Sequence, residues 1–263
     1  MARFPQIRVH FRLETAGFLA ALAAALLFST SSASAEELTF FAGAGLRQPT
    51  DVLVARFERQ TGHRILTIYD GGGRLLTRIQ ASGRGDLFMP GARFFIDRLE
   101  EAGSIRTVHP LVAHTAVVGV ALHAKERIHS FEDLAKPGIR LALGDPKAMA
   151  FGRTARAMIQ RAGLETEILE NVVVYGGTVK QLALYVARGD VDASIIGRAD
   201  AFQYPDRIHR IPVPKAYFEP ETIALAVLES TRHPDIAPRF CAYMASDEAL
   251  AVFREFGFLP LEE

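Results

Sequence analysis

One stretch of the chain, residues 38–62, reads LTFFAGAGLRQPTDVLVARFERQTG. Its apolar start predicts a β-strand over residues 38–42, and its amphipathic second half predicts a helix over residues 49–60. Pro49 near the start of this helix and Gly62 just past its end are typical helix boundaries. Between them lies a turn of alanine and glycine. The stretch therefore predicts a strand and a helix joined by a glycine turn.

Three further strand-to-helix turns are rich in glycine and other small residues. The four turns are Ala42-Gly43-Ala44-Gly45, Gly71-Gly72-Gly73, Met149-Ala150-Phe151-Gly152 and Gly176-Gly177. A helix N-terminus has unpaired N–H groups and a partial positive charge, and glycine lets a ligand approach the backbone. Any single turn can also be an ordinary connection. Together, the four predict a cleft that holds a small anion with backbone amides.

The alternation of strands and helices predicts an α/β protein with two lobes, each a mainly parallel sheet flanked by helices. Two long apolar runs, residues 113–123 and 223–228, are predicted to cross between the lobes as a hinge. Lobe 1 is predicted over residues 36–115 and 219–263, and lobe 2 over residues 116–218. Ligands of open α/β sheets bind beyond the carboxyl ends of the strands, so the site is expected between the lobes.

The N-terminus resembles a secretory signal peptide. A basic segment precedes an apolar run over residues 16–28, and small residues follow up to Ala35. The basic residues are Arg3, Arg8 and Arg12. We predict that residues 1–35 are a signal peptide, cleaved near Ala35, and that the protein is exported to the periplasm. An uncleaved anchor or a buried helix is the alternative, although the run is shorter than the ~20 residues of a membrane span.

Composition excludes some classes of function. The chain has 30 basic and 30 acidic residues and no basic run, which argues against nucleic acid as a partner. Cys241 is the only cysteine, so no internal disulfide can form, and its apolar context predicts a core residue. We expect a monomer that needs no cofactor.

Motifs for catalysis or metal binding are absent from the sequence. There is no G-x-S-x-G nucleophile motif, and none of the eight histidines forms an H-x-x-H or H-E-x-x-H pair. The sequence therefore predicts a binding protein without a metal site, not an enzyme. Tyr69 and Tyr175 flank glycine turns, which leaves ferric-iron ligation with a histidine as a weaker alternative.

The candidate binding residues lie at the glycine turns and just after them. Backbone donors are expected from Gly45, Leu46, Gly72, Gly73, Phe151, Gly152 and Thr178. Arg74 and Arg198 each follow a candidate loop and could neutralise an anion, or they could be solvated surface charges, as could Arg47.

Asp70, directly before the second glycine turn, argues against a simple dianion site because its carboxylate would repel the ligand. Three readings of this residue are open: it accepts a proton from a protonated oxyanion, it pairs with Arg74, or it points away.

Four segments resemble those of known proteins. They are SFEDLAKPG at residues 130–138, LGDP at residues 143–146 with Gly152 after it, GDLF at residues 85–88, and FGFLP at residues 256–260. In order and spacing they resemble the periplasmic solute-binding proteins of ABC importers, and within that class the molybdate/tungstate-binding family. The resemblance implies a two-lobed fold that binds a small oxyanion by lobe closure and works with an ABC permease and ATPase.

Three positions depart from that family. It usually has serine where this chain has Gly45, serines where it has residues 71–73, and often a tyrosine near residues 195–198. Side-chain hydroxyl donors are therefore missing, whereas the backbone donors remain. Another solute is thus an alternative within the class: a protonated oxyanion, an organic anion or an iron complex. Outside it, a sensor subunit for a membrane kinase and a hydrolase on a similar fold are the other readings.

Overall fold

The computed structural model describes residues 35–146 and 150–261. The predicted signal peptide therefore lies outside the described residues except for Ala35, and so does Met149 of the third glycine turn. No helix in the described ranges is long and apolar enough to span a membrane.

The described residues form ten strands in two sheets. They are β1 (Glu37–Gly43), β2 (Arg64–Asp70), β3 (Leu87–Met89), β4 (Ile105–His114), β5 (Ala116–Ala121), β6 (Leu141–Gly144), β7 (Val172–Gly176), β8 (Ala193–Gly197), β9 (Ile208–Pro212) and β10 (Glu221–Leu228).

Nine α-helices and three short 3-10 helices accompany these strands within the same ranges. The α-helices are α1 (Arg47–Thr61), α2 (Gly72–Ser82), α3 (Phe94–Glu101), α4 (Ala150–Ala162), α5 (Glu165–Glu170), α6 (Val179–Arg188), α7 (Arg198–Phe202), α8 (Ile236–Met244) and α9 (Asp247–Glu255). The 3-10 helices are Ala44–Leu46, Leu122–Ala124 and Glu132–Ala135.

The two sheets have the same plan. The first has the order β2-β1-β3-β10-β4 and the second the order β7-β6-β8-β5-β9. In each, three strands run parallel, and the strand that follows a crossing between the lobes, β10 or β5, pairs antiparallel on both sides. The predicted two-lobed α/β fold is confirmed, with sheets that are mixed.

The hinge differs in detail from the sequence prediction. The apolar run at residues 113–123 is not one strand, because β4 ends at His114 and β5 begins at Ala116. The run at residues 223–228 lies within β10 of the first sheet, so the second crossing comes before it, between β9 and β10. The first half of β4 contains polar residues and Pro110, which hid it from a search for apolar runs. Proline is tolerated there because β4 is an edge strand. A third contact at the hinge is an antiparallel bridge between Ala113 and Leu259.

Helices cover both faces of each sheet, which is why the central strands are largely apolar. In the first sheet, Phe40, Phe57 and Phe240 pack edge to face with centroid distances of 5.4 and 5.0 Å. Cys241 is buried in the same cluster, as predicted, and burial raises the pKa of its thiol to about 12. Because α1, α2, α4 and α6 follow β1, β2, β6 and β7, all four glycine turns lie at carboxyl ends of strands.

Candidate functional site

A pocket of about 570 Å³ lies between the two lobes. Its walls come from lobe 1, lobe 2 and the crossing segments. The lining residues are Gly71, Gly72, Gly73, Arg74, Gly91, Ala92, Phe95, His114, Phe151, Arg153, Thr154, Phe218 and Glu221. We call this the cleft pocket.

The lobe 1 wall is built by the N-terminus of α2. Gly71 precedes the helix in an extended conformation, and no side chain caps the helix. A Cβ on Gly72 would lie 2.5 Å from the ring of Phe95, so a larger residue there would force that ring to move. The first amides of a helix have no partner within it. Gly72 and Gly73 therefore present backbone donors at the cleft.

Asp70 and Arg74 form an ion pair at the edge of this wall. Arg74 Nε donates to Asp70 Oδ1 at 2.6 Å, and the Gly71 N–H donates to the same oxygen at 2.7 Å. Both bonds favour the carboxylate and hold the pKa of Asp70 below its usual range. Of the three readings of Asp70, the structure shows the pair with Arg74.

The lobe 2 wall is the start of α4. Phe151, Arg153 and Thr154 line the cleft pocket. A Cβ on Gly152 would lie 2.7 Å from the carbonyl oxygens of Gly144 and Asp145, so glycine lets the helix pack directly on the end of β6. A second helix start, from the opposite lobe, thus borders the same pocket.

The floor of the cleft pocket is formed by β4 and β10. His114 and Glu221 are register partners on these antiparallel strands. Burial lowers the pKa of His114 to about 4 and raises that of Glu221. The imidazole is therefore neutral near pH 7 and adds no positive charge to the pocket.

The predicted binding residues divide into two groups. The cleft pocket is lined by Gly72, Gly73, Arg74 and Phe151. The residues outside its lining are Gly45, Leu46, Gly152, Thr178 and Arg198. Of these, Gly152 is buried beside Phe151, and Leu46 is buried in the lobe 1 core.

Two of the outlying residues have contacts of their own. The Thr178 hydroxyl accepts from the Gln181 N–H at 3.2 Å and so caps α6. Arg198 Nη1 donates to the carbonyl of Gly257, and its guanidinium lies over the ring of Phe202, 4.5 Å from the centroid.

Sequence reasoning missed several lining residues. Gly91 and Ala92 follow β3 and precede α3, so they form a fifth glycine turn. The pattern that predicts the other four turns, small residues between a strand and a helix, also predicts this one. His114 and Glu221 are brought together by the antiparallel register of β4 and β10, which no local pattern reveals.

Within residues 35–146 and 150–261, no group of three or more His, Cys, Asp or Glu side chains is arranged to hold a metal ion. Tyr69, considered above as an iron ligand, donates its hydroxyl to Asp51 and lies under the guanidinium of Arg47.

Residues 38–259 match the family of bacterial extracellular solute-binding proteins, and the chain belongs to this family. This is a family of binding proteins, not of enzymes. A Haemophilus influenzae protein assigned as a binding protein is 33% identical over 235 residues, 89% of this chain and 96% of the relative. The Bacillus subtilis protein YvgL, assigned as an ABC transporter substrate-binding lipoprotein, is 29% identical over 255 residues, 92% and 96% of the two chains. The molybdate-binding protein ModA of Azotobacter vinelandii is 23% identical over 249 residues, 90% and 95% of the two chains.

Solved structures show the same fold. The substrate-binding domain assigned to a molybdenum ABC transporter of Clostridium difficile has a TM-score of 0.77 at 20% identity, covering 87% of this chain and 100% of that one. The periplasmic molybdate-binding protein of A. vinelandii has a TM-score of 0.71 at 19% identity, covering 86% and 100%. Iron-bound HitA of Pseudomonas aeruginosa has a TM-score of 0.69 at 19% identity, covering 86% and 87%.

Proposed function

We propose that this protein is the periplasmic substrate-binding component of an ABC importer, and that it binds a small oxyanion, molybdate or tungstate, between its two lobes. The observation that carries the proposal is the meeting of two helix starts, from α2 and α4, at one pocket between the lobes. Lobe closure around the ligand would then be the signal that the permease and its ATPase read.

Backbone donors alone are strong enough for this function. A hydrogen bond from an amide to a charged group contributes about 1.5–3 kcal/mol. Four or five such bonds, less the cost of ordering and closure, reach the roughly 8 kcal/mol of a micromolar complex. The glycines in place of the family's serines are therefore compatible with anion binding.

The relatives support molybdate as the first ligand to test. ModA proteins of several bacteria match most of this chain, and two of the structural neighbours carry molybdate or molybdenum in their descriptions. The exported location is supported by the family, whose members are extracellular solute-binding proteins.

A larger organic anion is the second candidate, and the size and walls of the cleft pocket favour it. A volume of about 570 Å³ far exceeds that of a tetrahedral oxyanion, and three of the lining residues, Phe95, Phe151 and Phe218, are aromatic. Arg74 and Arg153, on opposite walls, could each face one carboxylate.

The experiment is a calorimetric titration of the purified protein with molybdate, tungstate, sulfate, phosphate, citrate and ferric citrate. We expect molybdate and tungstate to bind with one site per chain. Binding of citrate or ferric citrate without binding of either oxyanion would replace the first candidate with the second.

The ion pair at the cleft edge offers a matched test. Arg74→Gln leaves the Asp70 carboxylate uncompensated beside the anion, so we expect the Kd for the oxyanion to rise about two- to fivefold. Asp70→Asn should lower it. Arg84→Gln, in a different pocket of lobe 1, is the control and should leave the Kd unchanged. A Kd insensitive to Arg74→Gln would remove this residue from the site.

A further inference from the structure

A second pocket, of about 470 Å³, lies where the chain crosses between the lobes. Both crossings and the C-terminal segment contribute to its wall. The residues from them are Thr115, Ala116, Val117, Pro212, Val213, Lys215, Phe218, Pro220 and Leu259. Among the described residues it shares only Phe218 with the cleft pocket. We call it the hinge pocket.

The hinge pocket and the cleft pocket adjoin at the first crossing. His114 lines the cleft pocket, and residues 115–117, which follow it directly, line the hinge pocket. Phe218 borders both pockets, whereas Arg198 and Arg210 line only the hinge pocket. A ligand held by these two arginines would therefore lie outside the cleft pocket.

Arg198, Arg210 and Lys215 give the hinge pocket its positive charge. The guanidinium carbons of Arg198 and Arg210 each lie 4.5 Å from the ring centroid of Phe202. Within residues 35–146 and 150–261, neither guanidinium forms an ion pair with a carboxylate. Two positive charges thus share one aromatic ring without a counter-charge from those residues.

The hydrogen bonds of these arginines are incomplete. Arg198 Nη1 donates to the carbonyl of Gly257, but Arg210 Nη1 is buried without a hydrogen-bond partner. Partial burial and the charge of Arg210 both lower the pKa of Arg198, in that order. A buried N–H group that lacks a partner among the described residues is unfavourable, so an anion whose oxygen reached Arg210 Nη1 would be stabilised here.

The other walls indicate what kind of anion fits. Val117, Pro212, Phe218 and Leu259 present hydrocarbon to the pocket. A phosphate or a tetrahedral oxyanion would leave these walls without a contact. A carboxylate attached to a ring or a short hydrocarbon frame would meet both the arginines and the apolar walls.

We propose that the hinge pocket is a second binding site, which takes a small organic carboxylate on Arg198 and Arg210 and shifts the balance between open and closed lobes. The shift follows from the position of the pocket, because lobe closure must change the relation of the crossing segments that form it. The binding step is independent of the function proposed for the cleft, whereas its physiological use rests on that function.

The test uses benzoate as the probe and benzamide as its neutral counterpart, titrated into the purified protein by calorimetry. We expect saturable binding of benzoate at one site per chain and at least tenfold weaker binding of benzamide. Equal binding of the two, or no saturable binding of benzoate, would overturn the proposal without any variant being needed.

Two variants identify the site. Arg210→Gln should weaken the binding of benzoate at least tenfold. Arg207→Gln should leave it unchanged, because Arg207 lies three residues earlier and outside the hinge pocket. Equal effects of the two would contradict the assignment. A benzoate Kd that rises in proportion to the molybdate concentration, without reaching a plateau, would show that the two compete for the cleft, which would also overturn the proposal.

The conformational part has its own readout. Small-angle scattering of the wild-type protein should show a radius of gyration that changes on saturation with benzoate, and Arg210→Gln should abolish the change. An unchanged radius despite saturable binding would refute the effect on the lobes. Failure of molybdate to bind would refute the cleft proposal alone, since none of the benzoate results depends on it.

Discussion

His114 and Asp200 approach the same point in the hinge, the bare Cα of Gly197. A Cβ on Gly197 would lie 2.7 Å from Asp200 Oδ2 and 2.8 Å from His114 Nε2. The glycine thus lets two titratable groups pack together beside the floor of the cleft pocket. Burial lowers the pKa of His114 to about 4 and raises that of Asp200 to about 6.

These two shifts have opposite effects on stability. Between pH 6.5 and about 4, the unfolded chain binds a proton at His114 that the native protein does not, so this group removes stability as the pH falls. Between about 6 and 3.8, the native protein holds a proton at Asp200 that the unfolded chain has lost. That group adds stability as the pH falls.

We predict that His114→Gln becomes more stable relative to the wild type as the pH is lowered from 6.5 to 4. The reason is that the unfolded chain of the variant has no imidazole at residue 114 to bind a proton, so its unfolded state is not favoured by the fall in pH. Asp200→Asn should become less stable relative to the wild type over the same range. Urea unfolding at several pH values measures both. Differences that do not vary with pH would contradict the assigned shifts.

Gly152 provides a second test at the residue scale. Gly152→Ala should lower the free energy of unfolding by about 1–3 kcal/mol, because the new Cβ would meet backbone atoms of residues 144–145 that cannot yield. Gly45→Ala is the matched control, since a Cβ there has no neighbour within 4 Å. Thermal and urea unfolding report the difference, and equal stability of the two variants would show that α4 does not pack on β6 as described.

Among the elements, α2 and α6 show how similar turns acquire different roles. Both helices follow a parallel strand and a glycine turn, but α2 has no side-chain cap. At α6, Thr178 accepts from the Gln181 N–H, and Gln181 Oε1 accepts from the Gly177 N–H at 3.1 Å. The donors of α6 are thus partly used within the protein, whereas those of α2 remain for a ligand.

This difference leads to a prediction for Thr178→Ala. Loss of the cap should lower the free energy of unfolding by about 1 kcal/mol while leaving the Kd for the ligand within about twofold. Ser246→Ala, which removes the equivalent cap of α9, is the control for the cost of a cap far from the cleft. A tenfold loss of affinity without loss of stability would place the Thr178 hydroxyl in the binding site instead.

The Thr178–Gln181 contact was predictable because a cap depends on residues close in sequence. A threonine followed three residues later by a glutamine predicts a capping box, in which the glutamine side chain accepts from the backbone N–H of the threonine. The structure differs in one detail, since Gln181 Oε1 accepts from the Gly177 N–H and not from the Thr178 N–H. The short helices α5 and α7 were not predicted, because segments of six and five residues carry too little periodicity to be recognised.

At the scale of the whole molecule, the sequence predicts the two lobes well because strand–helix alternation is a local pattern repeated many times. It predicts the floor of the cleft poorly, because His114 and Glu221 are 107 positions apart and meet only through strand pairing. The position of the Arg198 side chain could not be predicted from the sequence either. Its hydrogen bond to the Gly257 carbonyl depends on where the C-terminal segment packs in the folded protein.

The central claim is that backbone amides from both lobes hold the ligand. The most direct measurement is a titration of the isotope-labelled protein with molybdate, followed by amide chemical shifts in NMR. We predict that the amides of Gly72, Gly73, Phe151 and Gly152 shift together and stop shifting at one equivalent. Shifts confined to one lobe, or found only around Arg198 and Arg210, would contradict it.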